Sequence, residues 1–207
     1  MALARKFKVM VEQSLKFETD RLAFCCWGER HREPFAAMNA DPEVMRYFLS
    51  TLTREQSIAG FDHLRTQMQD RGWGLWAVER KSTREFLGFI GLSIPQREYP
   101  FSPCVEVGWR LCRDHWGHGY ATEGARACLR VGFGMLGLEE IVSFTALSNL
   151  RSRAVMERIG LQNTHADFEH PAIPLGHPLR THCLYRLTRS EWENRASQTD
   201  IEGEQCH

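Results

Sequence analysis

Trp109-Arg110-Leu111-Cys112-Arg113-Asp114-His115-Trp116-Gly117-His118-Gly119-Tyr120-Ala121-Thr122-Glu123-Gly124 runs from an apolar strand through a two-glycine turn straight into a helix. That junction suits an anion. The first turn of a helix has backbone N–H groups without intrahelical partners and carries the positive end of the helix dipole, so a phosphate placed there gains hydrogen bonds and favourable charge together. Gly117 and Gly119 matter as missing side chains, because without a Cβ the backbone turns tightly and approaches a bulky phosphate closely. Turns of this kind are common, and the spacing alone does not separate those that bind from those that do not.

The flanking sequence supplies the frame. Downstream, Glu140 to Ala146 and Leu147 is β-rich, and the segment after it begins with Asn149 at an N-cap position and ends with Gly160 at a C-cap position, which predicts a helix over 150–159. Upstream, a strand is expected at about 21–27, helical segments at 31–47, and a longer helix from Thr53, where Thr53-Arg54-Glu55-Gln56 forms a capping-box pattern. Strands follow at about 73–80 and 85–94, joined as a hairpin by Lys81-Ser82-Thr83-Arg84. Pro95 to Pro103 is a loop, 104–112 a strand, 119–136 a helix, and C-terminal strands fall near 163–169 and 181–188. The expected class is α/β (α+β) with mixed strand connections. Residues 1–17 read as an N-terminal extension, 18–192 as the domain, and 193–207 as a polar, disordered tail.

The run Val105-Glu106-Val107-Gly108-Trp109, then Trp116-Gly117-His118-Gly119-Tyr120-Ala121-Thr122-Glu123, then Asn149-x-x-Ser152 with Ile159-Gly160-Leu161, resembles the GNAT family of acetyl-CoA-dependent N-acetyltransferases. Glu18-Thr19-Asp20-Arg21-Leu22 and Asn39-Ala40-Asp41-Pro42-Glu43-Val44 are similar to the branch that contains ribosomal-protein N-terminal acetyltransferases. The resemblance covers about residues 18 to 190 in the family's order. It implies a single GNAT-like domain, with a mixed central sheet carrying a splayed pair of strands and flanked by helices.

From the resemblance come the site assignments. Acetyl-CoA would be the co-substrate, its pyrophosphate held over His115, Trp116, Gly117, His118, Gly119, Tyr120 and Ala121. A bulge near Gly108 would free the backbone around Trp109 and Leu111 to pair with the cofactor arm, and a main-chain N–H there would stabilise the oxyanion. Asn149 would contact the arm and Ser152 would lie near the thioester sulfur, supplying the proton to the leaving thiolate. Many relatives carry a Tyr acid in this helix, where Met156 stands here. The family's loop usually opens on Arg or Gln, whereas this chain has Asp114, a carboxylate near an anion.

Alternation along 104–112 puts Glu106, Gly108, Arg110 and Cys112 on one face and Val105, Val107, Trp109 and Leu111 on the other. Glu106 is thereby the first candidate base, with a strand-edge ion pair as its alternative role, and Glu169 is a second candidate. Helix capping by Asn149 and Ser152 is the alternative to their chemistry. An α-amino group titrates near about pH 8 and a lysine amine near about 10.4, so an N-terminal amine needs little help to lose its proton. The acceptor is expected to be an amine on a peptide N-terminus or a small molecule.

Composition bounds the other possibilities. Lys+Arg and Asp+Glu are equal at 26 each, so nothing favours general nucleic-acid binding. Seven cysteines without a CxxC pair read as reduced thiols of a cytoplasmic protein. No signal-peptide or membrane-spanning pattern is read, and a monomer or homodimer is expected.

Several signals compete. Gly132-Phe133-Gly134-Met135-Leu136-Gly137 is a literal GxGxxG, but it follows helical spacing and precedes a strand, which favours packing and a helix stop over dinucleotide binding. His165, His170, His177 and His182 with Cys183 match no zinc spacing and are expected to be solvated in a proline-rich loop, so no metal is assigned. Cys112 and Cys128 could carry an acyl group, although core packing is the commoner role of such cysteines. A non-catalytic acyl-CoA sensor and a nucleotide-dependent oxidoreductase stay open beside the transferase.

Overall fold

The computed structural model describes residues 14–195. The extension's residues 1–13 and the tail's residues 196–207 lie outside the described residues. Among the described residues nine strands form one sheet in the order β1-β2-β3-β4-β5-β6-β9-β7, with β8 also pairing β9. They are β1 Phe17–Glu18, β2 Leu22–Cys25, β3 Leu75–Arg80, β4 Phe86–Ser93, β5 Glu106–Leu111, β6 Glu140–Ala146, β7 Gln162–Asn163, β8 Phe168–Glu169 and β9 Thr181–Thr188. All pairings are antiparallel except β5 with β6. This is the mixed α/β sheet expected, with its splayed strands at the centre.

Helices cover both faces. On one, α1 (Arg32–Ala40) and α2 (Arg54–Arg71) bury Phe35 and Phe61 against Trp27, with Phe89 of β4 beneath. Helix α2 begins where its capping box predicts, Thr53 Oγ1 accepting from Gln56 N–H and Gln56 Oε1 from Thr53 N–H, and stops at left-handed Gly72. Of the helical segments expected at 31–47, one helix forms. Asp41, extended as residues before proline tend to be, ends α1, and turns carry the chain to Ser50.

On the other face α3 (Tyr120–Arg130) buries Ala125, Cys128 and Leu129. It runs into a π-helical turn, Val131–Met135, closed by Leu136 N–H to Val131 O at 2.9 Å. Gly132 and Gly134 of the GxGxxG therefore lie in helix and Gly137, at φ 67°, follows its end; a Cβ on Gly132 would stand 2.6 Å from Ile141 Cδ1. That is packing against β6, as the context indicates. Helix α4 (Leu150–Arg158) follows β6.

Two expectations change. The continuous strand at 163–169 is two short strands, β7 and β8, because Asn163 Oδ1 accepts from His165 N–H and Thr164 Oγ1 from Ala166 N–H, turning the chain between them. Near Gly108 there is no bulge: β4 and β5 pair residue for residue from Ser93–Glu106 to Gly88–Leu111. The opening in the sheet arises instead from divergence, since β6 meets β5 at one position, Glu106 opposite Val142.

Candidate active site

β5 ends at Leu111, and Arg113–His115 form a 3-10 turn before the chain reaches Gly117 and Gly119, both at φ 79°. Positive φ is where a side chain is strained, so both positions suit glycine. Gly119 is the N-cap of α3, and no side chain caps that helix. Its first-turn N–H groups are thus left for a ligand. The loop is held from behind. Glu123 accepts from Thr19 Oγ1 at 2.5 Å and from Arg21 Nε at 2.6 Å, and Arg21 Nη1 donates to the His118 carbonyl at 2.9 Å. Burial works against the Glu123 charge, but these hydrogen bonds prevail and keep its carboxyl below the usual range.

The diverging strands open a cleft of about 2240 Å³. Beyond Glu106 the edge of β5 that faces β6 has no strand partner, which leaves main-chain groups around Gly108 and Trp109 for extended amides. Every residue expected at the site borders this cleft except His118: Glu106, Trp109, Leu111, His115, Trp116, Gly117, Gly119, Tyr120, Ala121, Asn149 and Ser152. Several contribute structure as well. The Leu111 carbonyl is already engaged by Trp116 Nε1 at 2.9 Å, His115 is buried with Glu85 3.6 Å away, and Tyr120 packs beneath Arg21 and Arg80. Arg151 lies over the Trp116 ring at 4.9 Å. Asp114 is exposed and outside the cleft lining, so its carboxylate does not face the phosphate end.

The cleft has the charge that a nucleotide-bearing thioester needs. Arg126, Arg130, Arg151 and Arg158 line it, and no described carboxylate pairs with any of them. With the uncapped α3 N-terminus, this donor set fits the phosphates of acetyl-CoA.

Two groups can move protons. Burial pushes the Glu106 carboxyl up to about 8, against a weak pull from the Ser93 hydroxyl at 3.5 Å. A carboxyl so raised keeps its proton at neutrality and becomes available as a base as the pH approaches about 8. No ion pair holds Glu106 among the described residues, so its alternative role as a strand-edge ion pair does not apply. On α4, Asn149 Oδ1 caps the helix by accepting from Ser152 N–H at 3.3 Å. Asn149 Nδ2 meanwhile donates to Thr145 Oγ1 at 2.9 Å and Ser152 Oγ at 3.1 Å. Capping is thus carried by Asn149, and the Ser152 hydroxyl hydrogen has no acceptor among the described residues.

Other candidates are placed elsewhere. Glu169 is exposed, bound by Arg180 at 2.6 Å and Thr181 Oγ1 at 2.8 Å, and does not border the cleft. Cys128 is fully buried, its thiol pushed up, and burial raises Cys112 to about 11, so neither is a thiolate near neutral pH. His170 and His182 are not simply solvated. Their rings pack 4.8 Å apart among Tyr99, Phe144 and Phe168, both border the cleft, and burial lowers His182 to about 4. Among the described residues no group of three or more His, Cys, Asp or Glu could hold a metal, and no helix is long and apolar enough to cross a membrane.

Sequence reasoning missed further wall residues. Phe48 and Leu49 on the turn after α1, Ile173, His182 and Arg110 also border the cleft, with Arg110 stacked on Phe48. Two of these carry a signal in the sequence: Arg110 by sharing a β5 face with Glu106, and His182 by its place in the histidine cluster expected to be solvated.

Comparison with known proteins agrees with this architecture. Residues 21–162 match the family model described as an acetyltransferase (GNAT) domain. The chain is 34% identical over 149 residues to the uncharacterized protein YkkB of Bacillus subtilis, covering 70% of this chain and 84% of that protein. It is 34% identical over 181 residues to the FsC-acetyl coenzyme A-N(2)-transacetylase of Aspergillus fumigatus, covering 84% and 76%. An acetyltransferase of the GNAT family from Bacillus anthracis shares the fold with a TM-score of 0.71 at 22% identity, over 86% of this chain and all of that one. With its glycine turn, open strand edge and matched domain, the chain belongs to the GNAT family of acetyl-CoA-dependent acyltransferases.

Proposed function

We propose that the protein moves an acetyl group from acetyl-CoA directly to a primary amine, on a peptide N-terminus or a small molecule. The observation that carries this reading is that Glu106 and Ser152, one able to take a proton and the other to give one, border the same cleft as the uncapped N-terminus of α3. When bound, acetyl-CoA supplies a thioester whose acyl carbon the amine attacks and whose thiolate leaves. Main-chain N–H groups of the α3 first turn, with Arg126, Arg130 and Arg151, would hold the phosphates. The open edge of β5 would align the arm and offer an N–H to the negative charge that develops on the acyl oxygen.

Glu106 in its ionised form, which is populated as the pH approaches about 8, takes the proton that the attacking nitrogen must lose, directly or through one water. Ser152 gives its hydroxyl proton to the departing sulfur and regains one from solvent. The hydrogen bond from Asn149 Nδ2 holds Ser152 Oγ in place for that transfer. No side-chain nucleophile is needed, in keeping with the raised thiol pKa values of Cys112 and Cys128. The test is a panel of primary amines incubated with acetyl-CoA, with free thiol and acetylated amine both measured. Equal amounts of the two products are expected for at least one acceptor; binding of acetyl-CoA without transfer to any amine would instead identify a sensor.

A further inference from the structure

Among the described residues, the cleft wall contains a cation with no counter-ion. Arg110 lies on the face of β5 that also carries Glu106, and it borders the cleft. Its Nη1 donates to Asn39 Oδ1 at 2.6 Å, and Asn39 is fully buried on α1, so one edge of the guanidinium is fixed. The rings of Phe48 and Phe89 lie 4.2 Å and 5.3 Å from its Cζ. Of the five guanidinium donors, the only hydrogen bond formed with a described residue is the one to Asn39.

No described carboxylate forms an ion pair with Arg110, and most of those that line the cleft are engaged elsewhere. Glu18 pairs with Lys81 at 2.7 Å, Glu43 lies 3.8 Å from Arg46, Glu123 pairs with Arg21, and Asp20 is exposed. Glu106 stands four residues along the strand, roughly 13 Å between Cα atoms, and keeps its proton near neutrality. Burial without a compensating carboxylate lowers Arg110 to about 10. Keeping a desolvated cation without a partner is costly, and a ligand that brings an anion removes that cost. Planar guanidinium edges match carboxylates in particular, through two parallel N–H bonds.

We propose that Arg110 selects acceptors that carry a carboxylate, binding it in the cleft wall between Asn39 and Phe48. This rests on the acetyltransferase reading above and names the acceptor class for it. Gly108, where β5 has diverged from β6, is two residues from Arg110, about 7 Å along the strand. The amine and the carboxylate of the acceptor are therefore separated by several bonds. Phe48 and Leu49, 45% and 53% exposed on the same wall, give the intervening part of the acceptor an apolar surface. No group transfer beyond the acetyl step is involved.

Linear ω-amino acids of graded length and their carboxamides, presented with acetyl-CoA, test this in matched pairs. Wild-type protein should prefer the acid over its carboxamide by about tenfold or more in kcat/KM for at least one length, as a charge-assisted hydrogen bond in a desolvated site provides. Arg110→Met should bring the ratio to about one, and Arg110→Lys, which keeps the charge but loses the fork, should retain part of it. Acetylation of acids and carboxamides at equal efficiency by the wild type overturns the proposal without any variant, and so does a preference that survives in Arg110→Met. Transfer to other primary amines but to no member of this set overturns this inference alone, whereas acetyl-CoA binding with no transfer to any primary amine overturns the acetyltransferase reading with it.

Discussion

Asn149 holds Ser152 twice, accepting from its main-chain N–H at 3.3 Å and donating to its Oγ at 3.1 Å. Oγ is thus an acceptor within the protein, and its O–H is available to the cleft. Capping and chemistry are divided between the two residues.

That division can be measured on one mutant. Ser152→Ala leaves the Asn149 cap to the main-chain N–H in place, so the melting temperature should change little. Turnover should fall by roughly 10²-fold, as loss of a positioned acid typically causes, with acetyl-CoA affinity nearly unchanged. A near-normal kcat would remove Ser152 from the proton path. Asn149→Ala should cost both, about 1 kcal/mol of stability from the lost cap and part of the rate.

Glu106 gives the reaction a pH dependence. With a carboxyl raised to about 8 in the folded protein, the base form is lost below that pH. Using an acceptor whose own pKa lies below about 6, kcat/KM should rise with pH up to about 8, and Glu106→Gln should abolish that limb along with most activity. Stability carries the opposite sign. Between the unfolded value of 4.5 and about 8 the folded state binds the extra proton, so stability falls as pH rises through that window and Glu106→Gln should flatten the fall.

His182 acts at the acid end. Its folded value of about 4 lies below the usual 6.5, so the unfolded chain binds the proton first as pH drops. Stability from neutral His182 is complete above 6.5 and lost toward 4, on the order of 3 kcal/mol at most. His182→Gln should reduce the loss of melting temperature between pH 6.5 and 4, whereas an identical acid limb in the mutant would place the titrating group elsewhere.

At the loop, Gly119→Val forces a β-branched residue to φ 79° at the N-cap of α3. Acetyl-CoA affinity by calorimetry should weaken at least about tenfold, or roughly 1.4 kcal/mol. Unchanged affinity in a folded Gly119→Val protein would move the phosphates away from this turn.

What the sequence disclosed was local. The glycines at 117 and 119, the capping box at Thr53 and the cap at Asn149 depend on neighbours a few residues away, and each stands where its pattern puts it. The β5 alternation likewise gave the face of Glu106. Contacts between distant segments left no such trace: Asn39 meets Arg110 across 71 positions and Thr19 meets Glu123 across 104. The supposed bulge near Gly108 illustrates the same limit. A gap in pairing can arise from an extra residue or from two strands that part, and only the register with both neighbours distinguishes them.

Direct transfer to an amine is tested most squarely by a single turnover with excess enzyme and acetyl-labelled acetyl-CoA, quenched over time and read by mass spectrometry. The label should pass to the amine with no acetylated enzyme at any time point, and Cys112→Ala and Cys128→Ala should retain most turnover apart from packing losses. An acetyl-cysteine that forms and decays as fast as the enzyme turns over would contradict the account.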